Sequence, residues 1–287
     1  MYYKFNKTIA FQGSDGAHQH LACKTYFPDA HYKSFPTFEE VFSAVENKEV
    51  DLGLVPIENS CSGRVSEIHN LLRKTNLYIV GECFLDIEHH LAAIKETKLS
   101  NITTVVSHPQ ALMQCTEHIN KYKFKRMPYL NTALAAEYVK KQNDTSLAAL
   151  CSTLAAQTHG LTILEKNFQD ETGNKTVFIM IAREMCFLEK KNNNNKKITT
   201  LLFSVRNIPA SIYKAIGGFS TNNVNIIKLE SYIPGGISKK AQFYISFEGS
   251  PDDDNVKLAL EELGFFSINT KLLGVYDQAN ERNSSQN

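Results

Sequence analysis

The chain has 287 residues, 43% of them hydrophobic and 21% charged, with a formal net charge of +1. That balance belongs to an ordinary globular protein and leaves no field able to gather nucleic acid or anionic lipid, so neither is expected as a partner and the ligand is expected to be small. Single hydrophobic cores stop growing near this length, which makes two domains the working expectation.

In chain order, "TIAFQG" predicts a strand that leads through "SDGAHQ" into a helix. "SFPTFEEVFSAVENKEVDLGLVPIENS" predicts a second helix and strand: Thr37 with Glu40 forms a capping box, and Phe38, Val41, Phe42 and Val45 make the apolar face. Val65, Ile68, Leu71 and Leu72 fall on one stripe of a helix that starts near Gly63. A β-rich stretch runs from Leu77 to Ile94, followed by "ITTVVS" and a helix opened by Pro109, a favoured first-turn residue. "NTALAAEYVKKQ" and "STLAAQTHG" read as further helices, with "SLAAL", "LTIL" and "TVFIMIA" as strands. Such alternation predicts an α/β fold with helices on both faces of a sheet.

"EKKNNNNKK", Glu189 to Lys197, has nothing apolar to bury and divides the chain. Beyond it the order β-α-β-β-α-β is that of a ferredoxin-like unit. The closing "ANERNSSQN" reads as a disordered tail. The opening "MYYKFNKTIAFQG" lacks an apolar run of signal-peptide length, and no segment approaches the roughly 20 apolar residues of a membrane span, so no membrane association and a cytoplasmic location are expected. Cys23, Cys61, Cys83, Cys115, Cys151 and Cys186 are far apart without a C-x-x-C pair, and read as buried, reduced thiols. His18/His20 and His89/His90 have no cysteine or carboxylate at ligand spacing, and no metal site is expected.

Ligands of α/β sheets sit where strands end and helices begin, because unpaired N–H groups and the positive helix end collect there. Four places qualify: Glu58, Asn59 and Ser60 in "PIENSCSG"; Ser107, Gln110 and Gln114 in "SHPQALMQC"; Asn131 and Thr132 in "NTA"; and Thr176 in "GNKTVFIMI". Each also has a plainer reading. Ser107, Asn131 and Thr132 are good helix caps, Asn59 and Ser60 good turn formers, Glu58 a solvated carboxylate and Thr176 a strand residue.

Taken together and in order, "VPIENS" with Gly63, "GE" at Gly81-Glu82 before "HHL", "SHPQAL" with "QC" at Gln114-Cys115, "NTALAA" and "NKTVF" resemble the prephenate dehydratase family. The resemblance extends from Ile9 to Tyr276. It implies a catalytic region, 1–188, of two α/β subdomains shaped like a periplasmic binding protein, with the site in their cleft. A linker, 189–197, an ACT regulatory domain of ferredoxin-like α+β fold, 198–277, and a tail, 278–287, complete the expected organisation.

The implied activity is conversion of prephenate to phenylpyruvate, CO2 and water without a cofactor, with phenylalanine as feedback effector and a homodimer or homotetramer as the assembly. Arogenate as substrate, or a catalytically weak aromatic amino-acid sensor, are the alternatives. The resemblance makes Thr176 catalytic and gives substrate contacts to Glu58, Asn59, Ser60, Ser107, Gln110, Gln114, Asn131, Thr132 and Phe178. Effector contacts fall to Ala210, Ser211, Ile212, Asn225, Glu230 and Ser231. The family's Thr-Arg-Phe reads here Thr176-Val177-Phe178, so Lys175 or Arg64 is expected to supply the missing cation. Strand alternation further predicts that Val177 faces away from a cleft that Thr176 faces.

Overall fold

The computed structural model describes residues 6–185, 196–206, 208–232 and 241–283. Cys186, most of the expected linker and residues 284–287 of the expected tail lie outside the described residues. The elements are β1 (Thr8–Gln12), α1 (His18–Tyr26), β2 (His31–Phe35), α2 (Phe38–Glu46), β3 (Leu52–Asn59), β4 (Gly63–Arg64), α3 (Ser66–Lys74), β5 (Tyr78–Asp86) and β6 (His90–Ala93). They continue with β7 (Thr104–Ser107), α4 (Pro109–Gln114), α5 (Thr116–Lys121), β8 (Lys125–Pro128), α6 (Thr132–Gln142), β9 (Leu147–Cys151), α7 (Thr153–Thr158), β10 (Thr162–Glu165) and β11 (Lys175–Ala182). Then come β12 (Lys197–Val205), α8 (Ser211–Thr221), β13 (Ile226–Tyr232), β14 (Gln242–Glu248), α9 (Asp254–Phe266), β15 (Ser267–Asp277) and α10 (Asn280–Asn283).

One sheet has the order β2-β1-β3-β11-β5, with β4 paired to β3, and a second has the order β10-β6-β9-β7-β8. The second sheet is covered on both faces. Alternate residues of its strands divide between two cores: Leu91, Ala93, Val105, Ala148 and Leu150 pack with Leu112 and Ile119. Their neighbours Ala92, Val106, Ala149 and Cys151 pack with Ala133, Ala136 and Ala155. Burial of both faces is why these strands read as continuous apolar runs. The third sheet, β13-β14-β12-β15, is antiparallel, and α8 and α9 cover one face through Phe203, Phe219, Ile245, Phe247 and Leu263. It matches the expected β-α-β-β-α-β order.

The chain forms two compact units: Met1–Ile68 with Cys83–Phe178, and His69–Glu82 with Ile179–Asn287. This division differs from one at the polar linker. Part of the reason lies in Lys271, whose amine donates to the carbonyls of Leu72 and Arg73 at 3.1 and 3.2 Å and also to that of Thr75, tying the end of α3 to β15 inside the second unit.

Several local expectations need correcting. Cys23, Cys83, Cys115 and Cys151 are buried as expected, but Cys61 is exposed, because it lies in the turn between β3 and β4. The helix expected near Gly63 begins at Ser66, because Gly63 and Arg64 instead pair antiparallel with Asn59 and Glu58. The tail is ordered up to the end of the described residues: α10 forms, and Arg282 donates to both carboxylate oxygens of the buried Glu82 at 2.7 and 2.8 Å. Thr37 caps α2 by accepting from Glu40 N at 3.2 Å, although its hydroxyl also meets the Glu40 carboxylate, which is not the reciprocal backbone bond of a full capping box.

Candidate active site

Within the first unit a cavity of about 360 Å³ opens at strand ends and helix starts, a size suited to a small molecule. Gln12 ends β1 and Gly13 follows it, Asn59 ends β3, Arg64 lies in β4, and His108 and Asn131 cap α4 and α6 after β7 and β8. Thr176 and Phe178, at the start of β11, complete it. Arg64 is the one Lys or Arg among the lining residues, and no Asp or Glu is among them. Such a lining favours an anion.

Thr176 is 7% exposed, and its Oγ1 accepts from Asn59 Nδ2 at 3.0 Å. That bond occupies a lone pair and leaves the hydroxyl proton free to donate. Asn59 is itself fixed. Its Nδ2 also meets Asn174 Oδ1 at 2.7 Å, and its Oδ1 accepts from Cys61 N, Ser62 N and Ser62 Oγ at 3.0, 2.9 and 2.8 Å. Asn59 thereby orients Thr176 and shapes the 60–62 turn, and its amide is engaged within the protein. Val177 is absent from the lining while Thr176 and Phe178 are present, as strand alternation requires.

Of the ten residues named in advance, Asn59, Gln110, Gln114, Asn131, Thr132, Thr176 and Phe178 line the cavity. Ser107 does not: it is fully buried and donates to Leu150 O at 2.7 Å, because a buried hydroxyl must find an acceptor, and His108 caps α4 in its place. Nor does Ser60, which donates to Gly173 O and accepts from Lys175 N at 3.3 and 2.9 Å. Glu58 also lies outside the lining, opposite Arg64 in the β3–β4 ladder. Of the two candidate cations Arg64 lines the cavity, whereas Lys175 does not and sits 3.6 Å from Asp86.

Sequence reasoning passed over Gln12, Ala17, His18, Gln19, His89, His108 and Asn174. The junction "SDGAHQ" carried the same strand-to-helix signal as the four places chosen. Gly16 there has φ +88°, and a Cβ on it would come within 2.7 Å of Ala155 Cα, so only glycine fits the turn that sets up α1. No side chain caps α1, whose first residues line the cavity, so its first-turn N–H groups suit a carboxylate.

The lining histidines had no spacing to betray them. His18 lies edge-on to His89 with ring centroids 5.5 Å apart. Burial, then the neighbouring His89 and His90, brings the His18 pKa down to about 4. Burial likewise lowers His89, despite its hydrogen bond to Gln114. Among the described residues no group of three or more His, Cys, Asp or Glu could hold a metal ion.

The expected effector residues lie in the second unit at two places. Ala210, at φ +57°, precedes α8, which Ser211 and Ile212 open; a left-handed alanine is strained where glycine is not. Asn225 accepts from Glu248 N at 2.9 Å through its carbonyl, and the Glu230 carboxylate lies 3.0 Å from Lys228 Nζ and 3.9 Å from His69 Nε2. Ser231 stands opposite Phe243 in the β13–β14 ladder.

Residues 9–186 match the family model described as prephenate dehydratase. A bifunctional N-acyl-homoserine lactone acylase/prephenate dehydratase of Komagataeibacter europaeus is 38% identical over 270 residues, covering 94% of this chain and 95% of that one. An arogenate dehydratase/prephenate dehydratase of Arabidopsis thaliana is 34% identical over 282 residues, covering 93% and 71%. The structure of a prephenate dehydratase from Arthrobacter aurescens in complex with L-Phe aligns with a TM-score of 0.85 and 25% identity over 96% of this chain and 91% of that one. With the matched segment taking in the cavity and the strand that carries Thr176, the chain belongs to the prephenate dehydratase family.

Proposed function

We infer that this chain converts prephenate to phenylpyruvate, CO2 and water, a carbon–oxygen lyase reaction coupled to decarboxylation. The observation that carries the reading is the Thr176 hydroxyl, held by Asn59 in a cavity that has Arg64 and no carboxylate on its wall. Prephenate is a dianion. As its ring carboxylate leaves as CO2, that electron pair enters the ring, the ring becomes aromatic and the C4–oxygen bond breaks. The departing hydroxide takes one proton and leaves as water.

The enzyme needs orientation and a donor at that oxygen, and it needs no strong base. Thr176 donates to the departing oxygen, and a placed donor of this kind contributes on the order of a hundredfold or more in rate. Arg64, the Gln114 and Asn131 amides and the first turn of α1 take the carboxylates, while Phe178, Pro56 and Ile87 supply apolar wall that weakens hydration of the carboxylate to be lost.

Phenylalanine is the proposed effector of the second unit, supported by the L-Phe complex of the Arthrobacter protein. The reaction is assigned to the cytoplasm, in a homodimer or homotetramer. Cys23, Cys61, Cys83, Cys115 and Cys151 are free thiols, which supports that compartment.

Purified protein incubated with prephenate at neutral pH should produce phenylpyruvate, read by its absorbance in alkali. Product no faster than the spontaneous background would refute the reading. Phenylalanine titrated into the same assay should slow it, and a flat response would remove the effector assignment.

A further inference from the structure

The side-chain amide of Gln114 has a fixed sense. His89 Nε2 lies 2.9 Å from Gln114 Oε1, and an amide oxygen only accepts, so this contact is a hydrogen bond in the tautomer that carries the imidazole proton on Nε2. His89 is 3% exposed, its backbone N–H is held by Gln169 Oε1 at 2.9 Å, and its Nδ1 is buried without a hydrogen-bond partner among the described residues. A proton on Nδ1 would be a buried donor with no acceptor, so the ring favours the tautomer that carries its proton on Nε2. Both residues line the cavity.

We propose that His89 is a positioning residue for the dehydration: its Nε2–H holds Gln114 Oε1 so that the amide NH2 group is presented to a substrate carboxylate. The proposal rests on the dehydratase reading above. An amide turned by 180° would place Oε1 against the anion and repel it. That turned state would also set the Gln114 NH2 group against the His89 Nε2–H, donor to donor, so the ring in this tautomer and the anion both penalise it. Burial and the nearby His90 favour the neutral ring of His89, and the buried Nδ1, with no acceptor beside it, favours the proton on Nε2.

The test is a double-mutant cycle on the full chain with prephenate, using His89→Phe, Gln114→Ala and the pair. His89→Phe should raise KM about tenfold while kcat changes less than about threefold, since one charge-facing hydrogen bond is misplaced. In the Gln114→Ala background the same change should add less than about twofold, because its target is gone. His89→Gln, whose amide nitrogen replaces Nε2, should restore KM to within about threefold of the parent.

Should Phe fail to fold, as read by circular dichroism, His89→Asn, too short to reach Oε1, takes its place with the same expectations. An unchanged KM, or an equal cost with and without Gln114, overturns the proposal while leaving the dehydratase reading intact. A parent that does not turn over prephenate removes both.

Discussion

In the second unit the carboxylate of Glu82 is buried against its half-buried guanidinium partner Arg282, the side chains being 1% and 24% exposed. In the first unit the cavity's one guanidinium, Arg64, is exposed, and the buried polar groups around it are neutral amides, hydroxyls and imidazoles. The contrast separates two uses of polarity. Glu82 receives both Arg282 bonds and a third from Ala279 N at 3.2 Å, so it can hold α10 in place. At the cavity, donors on Thr176 and Gln114 are oriented by a neighbour and left unspent, which is what a site requires of them.

Breaking the second unit's pair should have the largest effect on stability. Arg282→Ala leaves a buried carboxylate without its partner and should cost about 3 kcal/mol in chemical denaturation. Glu82→Leu with Arg282→Met should recover most of that loss, and a cost under about 0.5 kcal/mol for Arg282→Ala would reduce the pair to a surface contact. At the cavity the equivalent change is kinetic: Arg64→Met should raise KM for prephenate about tenfold with stability unchanged, and the effect should shrink at high salt because the charge is exposed.

Smaller tests sharpen the contrast. Ala210→Gly relieves a left-handed alanine and should stabilise the protein by about 1 kcal/mol, a midpoint increase of a few degrees. His18, brought down to about 4 from an ordinary value near 6.5, binds its proton more readily in the unfolded chain than in the folded one. Its contribution is therefore fully present above about pH 6.5 and is lost as the pH falls toward 4. His18→Gln should shrink the fall in melting midpoint between pH 7 and pH 4.5 by a few degrees, and an unchanged fall would assign the acid sensitivity to other groups.

What was legible in the sequence was local. The helix start at Thr37, the first-turn Pro109, the cap at Asn131 and the division of β11 between a cavity face and an opposite face all follow from neighbours in sequence. Ser107 was a sound cap by type, yet the fully buried end of β7 turned its hydroxyl to Leu150 O in β9. The long-range partners left no mark. Arg282 meets Glu82 across 200 positions, and His18 meets His89 because a helix start and a strand start converge, which no spacing rule foretells. Family motifs did not sort these roles either: "GE" carries a structural carboxylate, while "HHL" contributes His89 to the cavity.

The most direct test of the account is the pair Thr176→Ser and Thr176→Val, assayed with prephenate at saturation. Serine keeps a hydroxyl for Asn59 to orient and should retain kcat within about tenfold, whereas valine keeps the shape without a donor and should lose about a hundredfold or more with little change in KM. A Thr176→Val enzyme turning over at the parental rate would contradict the role assigned to the hydroxyl.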